Sequence, residues 1–261
     1  MNILFLMGVY PNYGGVEKVT TILSNKLVDL GYSISIISFE QPFLELANEL
    51  NPKVKIYKFP HKSVLNLKNI NFMREILINN NINIIINQWC LPYPVTLLCN
   101  QAMRGTQCKK LLAVHHNMPD NNSLIQKYNI LLKKHGGLKN KLLLNFSKIL
   151  TGLSLNLVYK NSTNYILLSP RFIGNFKNIT KIKKIDKIRS ITNPLTIAEN
   201  KDFDFSLKEN ILLYVGRIDY NQKRVSRLID VWEQLSKKHC DWKFIVFGDG
   251  PELPDIIRIA N

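Results

Sequence analysis

Short apolar runs alternate with longer amphipathic segments from the first residue of the chain onward. Residues 3–7 form a compact apolar run, which predicts a buried parallel strand. Apolar residues then recur at helical spacing up to Leu30, and Gly31 is well placed to end that helix. The same alternation predicts further strands at 33–39, 54–59, 82–86, 110–115 and 165–168, and helices at 69–79 and 94–103.

A second β-α series begins after a polar, lysine-rich stretch at 181–209, which contains the turn dipeptide Asn193-Pro194 and predicts an interdomain connection. Its predicted elements are strands at 211–215 and 243–247 and helices at 224–237 and 251–261. Repeated β-α units imply parallel sheets with right-handed crossovers. We therefore expect an α/β chain with one Rossmann-like domain at 1–193, followed at 194–261 by the connection and the first part of a second such domain.

An apolar stripe at three- to four-residue spacing interrupts the alternation after Gly136 and Gly137. It predicts a basic amphipathic helix that either covers the sheet or lies on a membrane surface. A third arrangement keeps the apolar face inside and turns the lysines toward lipid headgroups. Residues 142–159 contain Lys148 and two asparagines, so we expect the segment to be too short and too polar to span a bilayer. The stripe consists of Leu142, Leu143, Phe146, Ile149, Leu150, Leu153 and Leu157, and the lysines of the tentative membrane surface are Lys133, Lys134, Lys139, Lys141 and Lys148.

Positive charge is concentrated in the same part of the chain. The net charge is +16, and residues 121–185 contain twelve Lys and Arg but no Asp or Glu. Such a field favours an anionic partner, which could be nucleic acid, an anionic bilayer or a phosphorylated substrate. The alternative is a solvated lysine-rich face without a partner. Aromatic residues for base stacking are not interleaved with the lysines, which argues against nucleic acid.

The cysteines and the N-terminus indicate the compartment. None of the four cysteines belongs to a C-x-x-C pair, so the sequence predicts free thiols without a zinc site, as suits a reducing cytoplasm. The N-terminal apolar run lacks a basic region before it and ends in turn residues, so it predicts a strand and no signal peptide.

Two candidate sites follow strands of the first series, where open parallel sheets bind their ligands. Gly14 and Gly15 follow the first strand, where glycine permits close approach of a ligand and the next helix offers N–H groups to an anion. This Gly-Gly pair could equally be a simple turn. His115 and His116 end the strand at 110–115 and could bind a hydroxyl or phosphate, or be structural histidines.

The third candidate site lies in the second series. Arg217 follows the strand at 211–215, and Lys223 is expected at the start of the next helix. A guanidinium, an ammonium and a helix N-terminus that converge would bind a pyrophosphate, whereas the alternative is ordinary surface charge. The small residues that permit close ligand approach at these two strand ends are Gly216, Gly248, Asp249 and Gly250, with Pro251 after them.

Together these motifs resemble the GT4-type retaining glycosyltransferases of the GT-B fold. The resemblance runs along the whole chain and is most specific in its last fifty or so residues. It implies a hexosyltransferase-type enzyme of bacterial capsule, O-antigen or exopolysaccharide synthesis. The motifs are N-Y-G-G-V-E after the first strand, a strand-end histidine, N-P at the connection, V-G-R-(x)5-K-(x)4-L-I at 215–229, and G-D-G-P at 248–251.

The resemblance also implies roles for individual residues. Gly14 and Gly15 match the loop near the donor diphosphate and the acceptor, and His116, or less well His115, matches the histidine beside the reacting sugar. Arg217 and Lys223 match the pair that holds the diphosphate and stabilises it as a leaving group, and residues 248–251 match the loop near the nucleotide base. The family uses neither a cofactor nor a bound metal, because Arg and Lys replace the divalent cation.

The implied partners are a nucleotide sugar and a saccharide or polyprenyl-pyrophosphate-linked acceptor. The acid-free basic segment adds an expected peripheral contact with the cytoplasmic face of an anionic membrane, and no contact with nucleic acid is expected. The family's E-x7-E element, which holds the donor sugar, has no counterpart in this sequence. We therefore expect a truncated chain with little or no activity by itself. Two alternatives stay open, a GT-B nucleotide-sugar epimerase and a non-enzymatic protein that binds anionic surfaces.

Overall fold

The computed structural model of the chain describes residues 1–195, 204–219 and 223–260. The chain divides into two compact units, Met1–Ile197 and Ala198–Asn261. Each unit is treated by itself below. Residues 196–203, which belong to the predicted connection at 181–209, lie outside the described residues.

The first unit contains a seven-stranded parallel sheet with the order β3-β2-β1-β4-β5-β6-β7. Because β1 has β2 on one side and β4 on the other, the strand order reverses between β1 and β4. A reversal of this kind is where open α/β sheets form their ligand crevice. The strands are β1 Asn2–Val9, β2 Ser33–Glu40, β3 Lys55–Lys58, β4 Ile84–Asn87, β5 Lys110–His115, β6 Asn164–Leu167 and β7 Ile188–Ser190.

Six α-helices and one short 3-10 helix, Leu44–Glu49, connect these strands. The predicted end of the first helix is confirmed, since Gly31 follows it with a φ of 83°, a left-handed conformation that favours glycine. Side-chain caps at Asn66 and Asn122 begin the second and fourth helices. The helices are α1 Gly15–Asp29, α2 Leu67–Asn79, α3 Tyr93–Met103, α4 Ser123–His135, α5 Leu138–Lys160 and α6 Phe172–Thr180.

The central strand β1 is apolar at successive positions because both of its faces are buried. Leu4 and Leu6 point into a cluster with residues of α2 and α3. Ile3, Phe5 and Met7 point to the opposite face, where they pack against residues of α1. Alternate side chains of a strand lie on opposite faces, so a strand covered on both sides is apolar throughout. The predicted buried parallel strand is confirmed.

Four elements of the first unit were not predicted: the 3-10 helix at 44–49, α4, β7 and α6. β7 lies inside the stretch assigned to the connection, and it pairs with β6 as the last strand of the sheet. It has only three residues, Ile188–Ser190, which is too short for a periodic signal. Helix α6 was not predicted either, because nine residues cover little more than two helical turns.

Among the residues described, the second unit has a two-stranded parallel sheet and two helices beside a short 3-10 helix, Phe205–Leu207. The buried side chains of Ile218, Val225 and Ile256 form its small core. The second-unit elements are β8 Ile211–Val215, α7 Ser226–Ser236, β9 Lys243–Phe247 and α8 Leu253–Ala260. Helix α7 begins later than predicted, because Arg224 has a φ of 51° and is not helical.

Helix α5 carries its apolar stripe outward. Leu142, Phe146, Ile149 and Leu153 are exposed, whereas its buried face includes Ser147, Thr151 and Leu155. The two predicted arrangements with the apolar face inside are therefore wrong. Spacing along the chain reveals a stripe, but it does not reveal which face the neighbouring helices cover.

The length of α5 also differs from the prediction. The helix has 23 residues, Leu138–Lys160, and its length and composition would suffice to cross a membrane. It is the one helix among the described residues with this property. The expectation that the segment is too short and too polar is therefore not supported. A helix that packs on other helices can meet the same criterion, and α5 contacts α3, α4 and α6.

Candidate functional site

The first loop of the site follows β1 and leads through Gly14 into α1. Gly14 is the residue before the helix, with an extended φ of −176°, and a Cβ at this position would collide with the carboxylate of Glu17. Gly15 has open space around it. Partial burial raises the pKa of Glu17. Because this carboxylate already lies at the helix N-terminus, an anionic ligand would compete with it for the same N–H groups.

The second loop follows β4 and begins with Gln88. Its Oε1 lies 2.6 Å from Nε2 of His116, which follows the adjacent strand β5. The amide oxygen accepts, so Nε2 carries the proton and Nδ1 is left as an acceptor. Nδ1 of His116 is buried and has no partner. Burial lowers the pKa of His116 to about 4, which keeps the ring neutral at pH 7.

His115 has a different environment from His116. It is buried, and its Nδ1 lies 2.7 Å from the hydroxyl of Tyr165 on β6. Burial, and to a lesser extent the neighbouring His116, lower the pKa of His115 to about 4. His115 is thus a satisfied core histidine, whereas His116 is only partly buried.

An indole ring lies across the point where the strand order reverses. A Cβ on Gly8 of β1 would come within 2.9 Å of the ring of Trp89, so the missing side chain makes room for the indole. Trp89 is 37% exposed and contacts Phe39 edge-on at 5.6 Å between ring centroids. A partly exposed aromatic ring at a strand end offers an apolar face to a ligand.

Asn87, the last residue of β4, adds a second polar group without a partner. Its Oδ1 accepts a hydrogen bond from the backbone N–H of Trp89 at 3.0 Å, whereas its Nδ2 is buried and unpaired. Buried polar atoms are rarely left unpaired, so Asn87 Nδ2 and His116 Nδ1 are groups that a bound ligand could satisfy. Gln88, Trp89 and Asn87 were not predicted from the sequence. The polar residues directly after a buried apolar strand were the available signal.

In the second unit, the predicted glycines let two strand-end loops run side by side. The N–H of Gly216 donates to the carbonyl of Phe247 at 3.0 Å, and the N–H of Ile218 donates to that of Asp249 at 2.9 Å. A Cβ on Gly248 would collide with the carbonyl of Gly216, and a Cβ on Gly250 with that of Ile218. Close approach of backbone to backbone therefore already requires these glycines.

The two predicted phosphate-binding cations follow β8 and are exposed. Arg217 comes directly after Gly216, and its carbonyl accepts the hydroxyl of Tyr214 at 3.0 Å. The backbone N–H of Lys223 donates to the carbonyl of Asp219 at 2.8 Å. Because α7 begins at Ser226, Lys223 precedes the helix and does not lie within its first turn.

Metal-binding and thiol chemistry gain no support from the side chains. Within the described ranges, no three His, Cys, Asp or Glu residues form a group that could hold a metal ion. The cysteines are free; Cys90, Cys99 and Cys108 are buried, and Cys240 is exposed. Burial raises the pKa of Cys90 to about 12, so this thiol is not a ready nucleophile. The expectation that no metal or cofactor is needed stays a prediction.

Residues 209–261 match the family model described as "Glycosyl transferases group 1". Over 258 residues, 98% of its length, the chain is 22% identical to the amylovoran biosynthesis glycosyltransferase AmsD of Erwinia amylovora. It is 23% identical over 265 residues to a glycosyltransferase of Haemophilus influenzae. The chain spans 64% of the length of each of these curated relatives.

A shorter match and two solved structures complete the comparison. Over 79 residues the chain is 27% identical to a Campylobacter jejuni enzyme named as an α-1,4-N-acetylgalactosaminyltransferase acting on a diNAcBac-PP-undecaprenol-linked GalNAc disaccharide; the match covers 30% of this chain and 22% of that enzyme. A variant of S. aureus TarM in complex with fondaparinux, α-GlcNAc-glycerol and UDP superposes with a TM-score of 0.61 at 12% identity, over 99% of this chain and 74% of that one. Anabaena HepE in complex with UDP and glucose gives 0.60 at 13% identity, over 99% and 64%. These likenesses show a shared fold.

Proposed function

We propose that this chain, which has the GT-B fold and is related to the GT4-type glycosyltransferases, takes part in moving a sugar from a nucleotide-diphosphate donor to a saccharide acceptor. The observation that carries the proposal is the family match over 209–261, which contains the strand end with Gly216, Arg217 and Lys223. The names of the relatives support polysaccharide biosynthesis as the pathway class.

The donor diphosphate is assigned to Arg217 and Lys223. Both cations are exposed at the carboxyl end of β8, where parallel α/β sheets bind ligands. The guanidinium and ammonium would neutralise the charge that develops on the leaving diphosphate, as a metal ion does in other transferases. Two structural neighbours were solved with UDP, which makes UDP the first ligand to test.

The acceptor is assigned to the switch point of the first sheet. Neutral His116 offers an unprotonated Nδ1 that can accept a hydrogen bond from an acceptor hydroxyl, and Gln88 fixes the ring. Trp89 offers an apolar face for a sugar ring. A polyprenyl-pyrophosphate-linked saccharide is the acceptor class we propose, and retention of anomeric configuration is the expected outcome. The location we propose is peripheral, at the cytoplasmic face of the membrane.

The donor assignment is tested by calorimetric titration of residues 1–261 with UDP and with UMP. We expect Arg217→Ala and Lys223→Ala each to weaken UDP binding about tenfold, or about 1.4 kcal/mol, with little effect on UMP. Lys238→Ala, an exposed lysine beyond α7, is the matched control for loss of a single charge. Equal UDP affinities for all four proteins would refute the assignment.

Turnover assays distinguish the transferase from the epimerase and from a non-enzymatic protein. Incubation with UDP-sugars alone tests for epimerisation, and addition of a lipid-linked saccharide tests for transfer. We expect neither reaction to proceed at a substantial rate with residues 1–261, because no two glutamates in this sequence are eight positions apart. A sugar epimerised without acceptor would favour the epimerase. Salt-sensitive binding to anionic surfaces without any UDP affinity would favour the non-enzymatic reading.

A further inference from the structure

Helix α5 presents hydrocarbon to solvent along its whole length. Leu138 is 73% exposed, Phe146 58% and Leu153 58%. Soluble monomers rarely expose a contiguous apolar patch of this extent, and such patches mark interaction surfaces. We call this surface the α5 ridge; its residues are Leu138, Leu142, Phe146, Ile149, Leu150, Leu153 and Leu157, all of them exposed.

The opposite face of α5 uses polar side chains to hold the helix in place. The hydroxyl of Thr151 accepts a hydrogen bond from Nδ2 of Asn122 at 2.7 Å, and both residues are buried. Ser154 donates to the carbonyl of Leu91 at 2.6 Å and accepts from the backbone N–H of Tyr93 at 3.1 Å. The buried face also carries Leu155, Val158 and Tyr159, so α5 is apolar on both its buried and its exposed face.

These contacts connect α5 to the loop after β4, which begins with Gln88, and to the loop after β5, which begins with His116. Leu91 lies three residues after Gln88, and Asn122 lies six residues after His116. Six residues span at most about 20 Å even when fully extended. The loop after β5 has another anchor, since Nδ2 of Asn175 on α6 donates to Oδ2 of Asp120 at 2.9 Å. Helix α5 therefore helps to anchor the loops that carry Gln88 and His116.

The chemistry around the ridge indicates what covers it. Residues 121–185 contain no Asp or Glu, and Lys139, Lys141, Lys148 and Lys160 on α5 are all exposed. A second copy of the chain would bring two such positive surfaces together, which is electrostatically unfavourable. An anionic lipid bilayer satisfies both features, because its headgroups attract lysine and its acyl boundary accepts leucine and phenylalanine.

We propose that α5 lies flat in the surface of an anionic bilayer, with the α5 ridge at the acyl boundary and its lysines at the headgroups. The polar contacts of Thr151 and Ser154 keep the other face of the helix on the protein, which excludes a spanning orientation. The docked helix holds the two acceptor loops beside the membrane. This last step rests on the proposed acceptor site, whereas the docking itself does not.

The docking is tested by flotation of residues 1–261 with phosphatidylcholine vesicles that contain either no phosphatidylglycerol or 30 mol% of it, a fraction chosen on the order of that in bacterial membranes. We expect flotation only with the anionic vesicles and at least a tenfold loss in 0.5 M salt, at a Debye length of about 4 Å. Leu142→Gln combined with Leu153→Gln should abolish it. Leu30→Gln combined with Leu67→Gln, two exposed leucines outside α5, is the matched control.

Two further measurements decide between occupants of the ridge. Phe146→Trp should show quenching of the added fluorescence by brominated acyl chains, since the ring would lie at the acyl boundary. Light scattering reports self-association. Three results would each overturn the proposal. The first is equal binding to neutral and anionic vesicles, and the second is resistance to extraction by alkaline carbonate. The third is a dimer that the two glutamine substitutions abolish, without any lipid binding. UDP binding is measured in parallel, so a failure here is separable from a failure of the proposed function.

Discussion

His116 and Gln88 are joined by a hydrogen bond of 2.6 Å between Nε2 and Oε1, across the carboxyl ends of the adjacent strands β5 and β4. The contact fixes the imidazole tautomer and leaves the buried Nδ1 free to accept. A neutral ring of this kind can accept a proton or a hydrogen bond at physiological pH. Gln88 thus positions His116 without itself having to contact a substrate.

Gln88→Glu should convert this contact into an ion pair. A carboxylate at hydrogen-bond distance favours the charged imidazole, so the pKa of His116 should rise from about 4 to near or above its ordinary value of 6.5. The measurement is an NMR titration of the imidazole resonances. Gln88→Met, which has similar length but no charge, should leave the pKa low. An unchanged pKa in the glutamate variant would show that the side chains do not meet.

The two histidines should make the first unit sensitive to mild acid. Burial lowers the pKa of His115 and of His116 to about 4, whereas both titrate near 6.5 when unfolded. Between these values the unfolded chain binds more protons, so the free energy of unfolding is largest above about pH 6.5 and falls as the pH drops toward 4. We expect each histidine to contribute up to about 3 kcal/mol over this window.

Urea unfolding between pH 4 and 8 measures this dependence. His116→Gln should reduce the pH dependence of the unfolding free energy, because glutamine does not titrate. His135→Gln, at the exposed end of α4, should leave it unchanged. Identical pH profiles for the unmodified chain and the His116 variant would contradict the assigned burial effect.

Thr151→Val should weaken the attachment of α5. Valine keeps the shape of threonine but leaves the buried amide of Asn122 without its partner, which costs about 1–3 kcal/mol. Thr151→Ser keeps the hydroxyl and should cost less. The check is the free energy of unfolding from urea titration. Hydrogen exchange in the loop at 116–122 should increase in the valine variant alone, and equal exchange in both variants would argue against the coupling.

Gly152→Ala should destabilise the chain, whereas Gly174→Ala should not. A Cβ at Gly152 on α5 would collide with the backbone carbonyl of Ile179 on α6, which leaves no flexible atom to yield. We expect a loss of about 1–3 kcal/mol from overpacking. Gly174 is exposed on α6 with no atom near a built Cβ, so alanine there should stabilise by about 0.5–1 kcal/mol. Equal effects on thermal unfolding would refute the close packing of α5 on α6.

Strand and helix order could be predicted from the sequence because the periodicity is strong in long elements. β1 is apolar over five successive residues, β2 is rich in isoleucine, and Gly31 follows the end of α1. β7 and α6 are too short to produce such a signal. The prediction that the apolar stripe of α5 is buried was wrong for another reason. A pattern along one helix does not show which of its faces the neighbouring helices cover.

The candidate site was predicted in part, and its glycines show why the rest was missed. Gly14, Gly216 and Gly248 were interpreted as places for a ligand to approach. In the structure they make room for the Glu17 carboxylate, the Tyr214 ring and the Gly216 carbonyl. Those neighbours are set by tertiary packing, which one sequence does not reveal. Gln88 and Trp89 gain their meaning only beside His116 and Gly8, each distant in sequence.

The exposed α5 ridge has a geometric consequence. The helix has 23 residues and is about 34 Å long, so contact with a bilayer would run along a line and would not be confined to one spot. A body attached along a line can diffuse in the plane and turn about the membrane normal, but it cannot pitch end over end. His116 would then remain at nearly constant height above the lipid, and the search for a lipid-borne acceptor would become two-dimensional.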